Sequence, residues 1–358
     1  MPRVIVGLSG GVDSAVAALL LKREGYDVTG VTLRTWLSDS GDEGRCCEID
    51  DARRIAMKLD IPYYPLNCSD IFKESVIDPF MDSYLKGETP NPCIECNRYI
   101  KWERMLYYSS IFRTELVATG HYASIVKLDN GRYTVRQAVH ASKDQTYMLY
   151  KLTQEQLART LMPLGTLTKD EVRSIADKEG LPVADKPDSQ ELCFVNEDDY
   201  ACYIESNRKD RIPKEGNFVD LSGRVLGRHK GIIHYTVGQR KGLGISAGYP
   251  LYVKSIDPIK NEIILGDLGS IMYDEVICSD LNYFSIEKPN KGDEFDCRVK
   301  IRYHHKAQDA RVIITDDDMV RIRFKEAVKA PAPGQAAVFY DDDGCVIGGG
   351  TIQRSRSV

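Results

Sequence analysis

The chain has 358 residues, of which 42% are hydrophobic and 28% are charged, and its formal net charge is −5. This length is enough for two or three domains with buried cores, and the composition excludes a disordered or collagen-like protein. An acidic chain is not a basic nucleic-acid-binding module as a whole, so any such surface must be a local patch. No apolar window is long enough to cross a bilayer and the N-terminus lacks the features of a signal peptide, so we expect a cytoplasmic protein without a membrane partner.

The first part of the chain alternates strand patterns with helical patterns. In chain order, strands are predicted at 4–7, 27–33, 63–66 and 115–119, and helices at 15–24, 50–59, 71–85 and 99–112. This alternation predicts an α/β fold with βαβ units and a parallel sheet covered by helices on both faces. The functional site of such a sheet lies beyond the carboxyl ends of its strands, where the loop 9–14 and the pair Gly120-His121 both fall.

The pattern of predicted secondary structure changes in the second half of the chain. Thr168 opens one more helix with a capping box, and from Phe218 onward short β-rich runs are separated by turn signals. We therefore expect an α/β catalytic domain over 1–200, a central β-rich domain over 201–273 and a C-terminal β-barrel-like domain over 274–358.

The loop Ser9–Ser14 reads SGGVDS and lies between a strand and a helix. Glycines let backbone amides face a ligand, and a helix N-terminus favours an anion, so the loop predicts a phosphate site. Neither the Walker pattern nor the dinucleotide pattern is present. A tight turn with a serine cap is the structural alternative, but it leaves Asp13 without a role, whereas a bridging Mg²⁺ would give it one.

Ten cysteines in a chain without a secretion signal do not indicate a disulfide scaffold. Cys93 and Cys96 form a C-x-x-C before a probable helix, where the field at the helix N-terminus favours thiolate. A third candidate is Cys193, and the absence of a second C-x-x-C does not favour a zinc ribbon. The remaining cysteines lack ligand spacing and are expected to be buried small hydrophobic residues: Cys46, Cys47, Cys68, Cys202, Cys278, Cys297 and Cys345.

The motif SGGVDS resembles the PP-loop of the N-type ATP pyrophosphatases, which hold ATP by its pyrophosphate end and transfer AMP to a substrate oxygen. Further motifs follow in order: N-P-x-x-x-C-N and K-W at 91–102, G-H-Y-A at 120–123, K-D-Q at 143–145, S-Q-x-x-C-F at 189–194 and H-Y-T-x-G-Q-R-x-G-L-G-I at 234–245. Together they resemble the tRNA-specific 2-thiouridylases over nearly the whole chain.

This resemblance implies that ATP adenylates the O2 atom of the wobble uridine, position 34, and that sulfur from a protein persulfide then displaces AMP to leave 2-thiouridine. It assigns the persulfide to Cys193 and the second catalytic role to Cys96, which would attack the persulfide bond and leave a Cys96–Cys193 disulfide. The implied partners are tRNA, through its anticodon stem-loop, and a persulfide donor such as a cysteine desulfurase or a relay protein.

The resemblance also assigns binding residues. Those for ATP are Gly7, Leu8, Ser9, Gly10, Gly11, Val12, Asp13, Ser14, Leu33 and Gly120, with Mg²⁺ held at Asp13 through the phosphates. Those for tRNA or its target base are Asn91, Pro92, Cys93, His121, Lys143, Asp144, Gln145, Arg302, Tyr303 and Gln335.

One position departs from the family pattern. Many relatives have an aspartate, assigned as a general base, where this chain has Cys93. A thiol would replace it only in part, and the alternative is that Cys93, Cys96 and Cys193 hold a [4Fe–4S] cluster with one iron open to sulfide. Both routes stay open on the sequence.

The segment 221–256 contains six Lys or Arg residues and no acid, with His229, His234 and Tyr235 interleaved. We interpret it as a phosphate-contacting surface of the central, tRNA-binding domain. Two rival functions remain. An AMP-transferring ligase similar to argininosuccinate synthetase would explain the loop but not the cysteines, and a non-catalytic RNA-binding protein would not explain the intact loop with Asp13.

Overall fold

A computed structural model describes residues 1–35, 48–184, 192–195 and 199–354. Cys46, Cys47 and the motif residues Ser189 and Gln190 lie outside the described residues. None of the described helices is long and apolar enough to span a membrane.

The first half of the chain forms a parallel sheet and a hairpin. Its strands are β1 (Arg3–Gly7), β2 (Asp27–Arg34), β3 (Tyr63–Asn67), β4 (Leu116–Ala118), β5 (Ala123–Lys127), β6 (Tyr133–Gln137) and β7 (Thr160–Leu161). Five of them make a parallel sheet in the order β3-β2-β1-β4-β7, and β5 pairs with β6 in an antiparallel ribbon. The predicted parallel sheet is confirmed.

Helices cover both faces of this sheet. They are α1 (Val12–Arg23), α2 (Ile49–Leu59), α3 (Ser69–Phe72), α4 (Asp78–Leu85), α5 (Pro92–Glu95), α6 (Glu103–Ile111), α7 (Gln154–Ala158), α8 (Lys169–Lys178) and α9 (Tyr200–Asn207). Successive residues of β1 point to opposite faces: Val4 and Val6 pack into the core beneath α1 and α8, whereas Ile5 packs into the core on the other face.

Two predicted helices differ in detail. The patterns at 71–85 and 99–112 predict plain helices, but each is built around a π-helical turn, at Lys73–Ile77 and Cys96–Trp102. The second helix also starts earlier, at Pro92, because proline is tolerated at the first helical position and the Asn91 side chain caps it by accepting a hydrogen bond from the Cys93 amide. The C-x-x-C therefore lies at the start of a helix.

The second half is all β after α9. Its strands are β8 (Gly216–Val219), β9 (Val225–His229), β10 (Tyr252–Asp257), β11 (Glu262–Gly266), β12 (Met272–Tyr283), β13 (Glu294–Lys300), β14 (Gln308–Asp316), β15 (Met319–Lys329), β16 (Ala336–Tyr340) and β17 (Val346–Ile352). A four-stranded sheet has the order β10-β11-β8-β9, and a closed barrel has the order β12-β15-β14-β13-β16-β17. The two predicted β-rich parts are confirmed as folds; the barrel's first strand begins at Met272.

The barrel packs against the first half of the chain. Val338 and Tyr340 of β16 share a core with Ile5 of β1, and the Tyr147 hydroxyl donates to the Ala336 carbonyl over 2.9 Å. Arg132 donates hydrogen bonds to backbone carbonyls on the chain that leaves β12. The barrel is therefore part of the surroundings of the sheet.

The cysteines outside the motifs only partly meet the expectation of burial. Cys68, Cys278 and Cys345 are buried, whereas Cys297 is half-buried and Cys202 is exposed. Burial raises the pKa of the Cys297 thiol to about 12. Cys202 is on the solvent side of α9, where its thiol donates to Asp199, so the expectation is wrong for this residue.

Replacing Arg132 by Met should lower the free energy of unfolding by about 1–3 kcal/mol, because the carbonyls of Tyr283 and Phe284 lose a charged donor. Thermal unfolding followed by circular dichroism would measure the change. The matched control is Arg53→Met, which removes an exposed pair with Asp50 and should change little. Equal effects of the two substitutions would contradict the role of Arg132.

Candidate active site

The loop after β1 is held in shape by its own hydroxyl groups. The Ser9 amide donates to the Ser14 hydroxyl over 3.1 Å, and that hydroxyl donates to the Gly11 carbonyl over 3.0 Å. Gly10 has a φ of +79°, which favours glycine, and a Cβ there would lie 2.8 Å from the Glu48 carbonyl oxygen. The loop therefore leads into α1 in one fixed conformation, with the helix N-terminus at its end.

The loop's acid is engaged by two residues from later segments. The Lys169 ammonium lies 2.7 and 2.8 Å from the two carboxylate oxygens of Asp13, and the Tyr122 hydroxyl donates to the nearer of them over 2.7 Å. Lys169 is 6% exposed, whereas the Asp13 side chain is 32% exposed. One side of the carboxylate is thus held by the protein while part of it stays accessible.

Gly120 closes against the start of α1. A Cβ at this position would lie 2.7 Å from the Asp13 carbonyl carbon and from the Ser14 nitrogen. Both atoms belong to the backbone and cannot rotate away. The loop after β4 and the phosphate-type loop after β1 are therefore in direct contact, as expected at the carboxyl edge of a parallel sheet.

The remaining residues assigned to ATP lie around this loop. Gly7 ends β1 against Met105, and Leu8 and Val12 are buried in the core beneath α1. Leu33, at the end of β2, packs between the second sheet core and the apolar cluster around Phe72 and Phe194.

His121, next to Gly120, is a buried neutral imidazole. Its Nδ1 lies 2.8 Å from the Thr119 hydroxyl and its Nε2 lies 3.4 Å from the Lys101 ammonium. Since the ammonium can only donate, Nε2 accepts and the ring proton is assigned to Nδ1. Burial, with the nearby charge of Lys101, holds the pKa of His121 well below its ordinary value.

The C-x-x-C segment is fixed from both sides. Gln335, on the barrel, donates to the Thr89 carbonyl over 2.8 Å and so holds the residues just before Asn91. At the other end, Lys151 bridges Glu95 and Asp280 of β12 at 2.6 and 2.5 Å. The negative partners outweigh burial and raise the pKa of Lys151 above its ordinary value.

Cys96 and Cys193 are both half-buried and both pack against the same apolar cluster, which contains Phe72, Ile100 and Phe194. They are far apart in the sequence, and no local sequence pattern predicts that they approach each other. The structure places both at the border of one cluster, which Leu33, at the carboxyl end of β2, also contacts.

The K-D-Q motif serves the interior as much as the surface. Asp144 is 4% exposed; it accepts hydrogen bonds from Thr146 and lies 3.7 Å from Lys300 of the barrel. The Gln145 side chain accepts from the Tyr122 amide over 3.0 Å, while Lys143 is half-buried. The predicted contacts of this motif with tRNA stay predictions.

Arg302 and Tyr303 lie where the barrel meets the other domains. The Arg302 guanidinium donates to the carbonyls of Val237 and Ala330, and burial lowers its pKa. Burial, together with the nearby ionisable groups of Asp144 and Cys93, raises the pKa of Tyr303. Tyr303 packs against the core that contains Ile94, between Cys93 and Cys96, whereas Arg302 connects the barrel to Val237, in the segment before β10.

The basic segment 221–256 is less uniform than its sequence suggests. Its histidines are structural: His229 is 1% exposed and bonded to backbone, and His234 lies 3.0 Å from Glu205. Acids from outside the segment also pair with two of its arginines, through Asp220 with Arg224 and Glu215 with Arg228. The exposed cations left at this surface are Lys230, Arg240 and Lys241.

Within the part of the chain that the structure describes, no group of three or more His, Cys, Asp or Glu side chains is placed to hold a metal ion. Cys93, Cys96 and Cys193 therefore do not form a cluster-ligand set as they stand.

Family models match three successive parts of the chain: a tRNA methyl transferase HUP domain at 2–197, a tRNA methyl transferase PRC-barrel domain at 208–267 and an aminomethyltransferase beta-barrel domain at 273–352. The tRNA-specific 2-thiouridylase MnmA 1 of Thermoanaerobacter sp. (strain X514) is 52% identical over 98% of both chains. The chain belongs to the tRNA-specific 2-thiouridylase family. The tRNA-specific 2-thiouridylase MnmA of Lachnoclostridium phytofermentans is 50% identical over 98% of this chain and 99% of its own.

Among solved structures, the U34-tRNA thiolase NcsA from Methanococcus maripaludis with its [4Fe-4S] cluster aligns with 59% of this chain and 67% of its own. The sequence identity is 18% and the TM-score is 0.36.

The structure adds two residues that the sequence analysis did not assign to the site, Lys169 and Tyr122. Lys169 stands in T-K-D-E, a pattern that predicts only a capping box, and that box is present at Thr168. No local signal connects this lysine to Asp13, because the contact joins segments that are distant in the chain. Tyr122 lies inside the G-H-Y-A motif, so its position was marked but its role was not.

Replacing Gly120 by Ala should impair nucleotide binding by at least tenfold, because the new Cβ displaces the first turn of α1. Isothermal titration with ATP would measure it. Gly269→Ala is the matched control, since its nearest neighbour would be a side-chain oxygen 3.7 Å away. Unchanged ATP affinity in the Gly120 variant would contradict the close contact.

His121 should remain neutral at pH 6.5, where an exposed histidine is half protonated, since its pKa is depressed. The unfolded chain then binds the proton first, so this group's contribution to stability is present above about pH 6.5 and is lost below it. Imidazole NMR shifts would follow the titration. Lys101→Met should raise the pKa of His121; a pKa that falls or stays fixed would contradict the electrostatic contact.

Proposed function

We propose that this protein is an ATP-dependent tRNA 2-thiouridylase that converts the wobble uridine, position 34, into 2-thiouridine. The proposal rests on two observations: Gly120 packs against the SGGVDS loop at Asp13, and two thiols, Cys96 and Cys193, border one apolar cluster. Leu33, at the carboxyl end of β2, contacts the same cluster. This arrangement agrees with the activity in the names of the relatives, tRNA-specific 2-thiouridylase, and that agreement supports the proposal.

The first step belongs to the loop. The amides of Gly10 and Gly11 and the N-terminus of α1 would receive the phosphates of ATP, because their partial positive charge favours an anion. The uridine O2 atom attacks the α-phosphorus and pyrophosphate leaves. Adenylation converts a poor leaving group, the carbonyl oxygen, into AMP.

A magnesium ion fits this loop in its donor chemistry. Mg²⁺ commonly takes one or two carboxylates and obtains its other ligands from substrate phosphates and water. Asp13 supplies a single, partly accessible carboxylate, and the same loop carries the hydroxyls of Ser9 and Ser14, so the loop offers oxygen donors of this kind. Asp13 would hold the ion, which would supply charge for the departing pyrophosphate.

The second step belongs to the cysteines. A persulfide on Cys193, loaded by a cysteine desulfurase or a relay protein, attacks C2 of the adenylated base and AMP leaves. The Cys96 thiolate then attacks the Cys193 sulfur, the persulfide bond breaks, and its electron pair stays on the sulfur now bonded to C2. The products are 2-thiouridine and a Cys96–Cys193 disulfide, which an external thiol reduces.

Cys93 gives the alternative route, in which it joins Cys96 and Cys193 around a [4Fe–4S] cluster. Among the residues that the structure describes, these three side chains are not gathered as a ligand set. Anaerobic reconstitution with iron and sulfide separates the routes: thiolation that needs iron would favour the cluster, and thiolation without iron would favour the persulfide.

The tRNA would lie across both halves of the chain. Asn91, Pro92 and Cys93 would receive the target base near Tyr303, and His121 lies at the same sheet edge. The exposed cations Lys230, Arg240 and Lys241 would contact phosphates farther along the anticodon arm, so binding should weaken with salt. Arg302 and Gln335 would shape this path by holding the domains together.

Replacing Cys96 or Cys193 by Ser should abolish 2-thiouridine formation and leave ATP-dependent pyrophosphate release within about threefold of wild type, because the thiols act after adenylation. Mass spectrometry of tRNA nucleosides and a pyrophosphate assay would measure the two steps. Cys202→Ser, on the exposed face of α9, is the matched control and should retain both activities. Full thiolation by either single variant would contradict the assignment.

An AMP-transferring ligase with a small substrate is the rival function. It predicts that the double variant of Cys96 and Cys193 keeps full activity on that substrate and that tRNA does not stimulate pyrophosphate release. The same pair of assays therefore separates the two functions.

A further inference from the structure

The ion pair between Lys169 and Asp13 places a buried cation at the N-terminus of a helix, and the proposed reaction does not explain this placement. Lys169 is the first residue of α8, where the helix carries partial positive charge. A cation is unfavourable at that end of a helix, and acids are the usual choice there, as Asp170 and Glu171 in the same turn illustrate. The side chain of Lys169 is nevertheless almost completely buried.

The position of α8 is fixed independently of Asp13. The Thr168 hydroxyl accepts from the Glu171 amide over 3.2 Å, and the Glu171 carboxylate accepts from the Thr168 amide over 2.7 Å. The capping box therefore sets where the helix begins. Lys169 then reaches Asp13 and makes contact with both carboxylate oxygens, in a geometry that also places its ammonium 5.9 Å from the centre of the Tyr122 ring.

Asp13 poses an electrostatic problem for a phosphate-binding loop. Its carboxylate stands in the first turn of α1, at the same helix end that would receive a triphosphate. Mg²⁺ would compensate this charge when it is bound, but in its absence a negative side chain beside a negative ligand opposes binding unless another cation compensates it. Lys169 is the cation that touches this carboxylate in the structure.

We propose that Lys169 is a positioning residue of the ATP site, which neutralises Asp13 and holds its carboxylate against Tyr122 so that the loop accepts the triphosphate. This inference rests on the proposed function, because it assumes that ATP binds at the loop. Lys169 acts through Asp13. Replacing Lys169 by an uncharged residue leaves the negative charge of Asp13 without compensation, and that charge then repels the nucleotide.

The test is a double-mutant cycle on ATP binding. ATP affinity is measured by isothermal titration, with EDTA and with Mg²⁺, for the wild type, Lys169→Met, Asp13→Asn and the double variant. Lys169→Met should weaken ATP binding in EDTA about tenfold, or about 1.4 kcal/mol. The double variant should bind ATP more tightly than Lys169→Met alone, because the uncompensated charge is gone. Lys169→Arg, which keeps the cation, should restore most of the affinity.

The matched control is Lys178→Met, which removes a lysine from the exposed end of the same helix and should leave ATP affinity unchanged. Thermal unfolding of each variant guards against loss of the fold. If Lys169→Met does not fold, the double variant is compared with Asp13→Asn instead, because the double variant leaves no buried charge without a partner. Equal ATP affinities of these two variants would support the positioning role.

Two results would overturn the inference. Wild-type affinity in Lys169→Met would show that the cation is not needed, and a double variant at least as weak as Lys169→Met would show that Lys169 binds phosphate itself. Failure of the wild-type protein to bind ATP would instead contradict the proposed function, so the two failures are distinguishable.

Discussion

The contact between Asp13 and its neighbours is the constraint on which the site depends. Gly120 presses against the Asp13 backbone, and the side chain is held by Tyr122 and Lys169. Three segments of the chain that are distant in sequence therefore meet at the start of α1. A parallel sheet makes this possible, because the carboxyl ends of β1 and β4 lie side by side.

The barrel completes the site from the other side. Gln335 holds the residues before the C-x-x-C, and Lys151 connects Glu95, the neighbour of Cys96, to Asp280 on β12. A movement of the barrel would therefore move the cysteine segment. This arrangement gives a physical reason for a β-barrel in an enzyme whose SGGVDS loop, Cys96 and Cys193 all precede residue 200.

The sequence predicted what is encoded locally. The alternation of strands and helices, the SGGVDS loop and the capping box at Thr168 each depend on a few adjacent residues, and each is present in the structure. The pairing of Lys169 with Asp13 and the shared cluster of Cys96 and Cys193 depend on tertiary packing, which no local pattern contains. The π-helical turns could not be predicted for the same reason, since packing decides where a helix accommodates an extra residue. The basic segment misled in part, because two acids that lie just before it in the chain, Asp220 and Glu215, pair with two of its arginines.

The most direct test of the account is to map the cysteines after one turnover. Protein carrying a persulfide is mixed with ATP, Mg²⁺ and tRNA without reductant, and the peptides are analysed by mass spectrometry under conditions that prevent disulfide exchange. The account predicts a peptide pair joined through Cys96 and Cys193 in an amount equal to the 2-thiouridine formed. Thiolated tRNA accompanied by two unmodified thiols would contradict it.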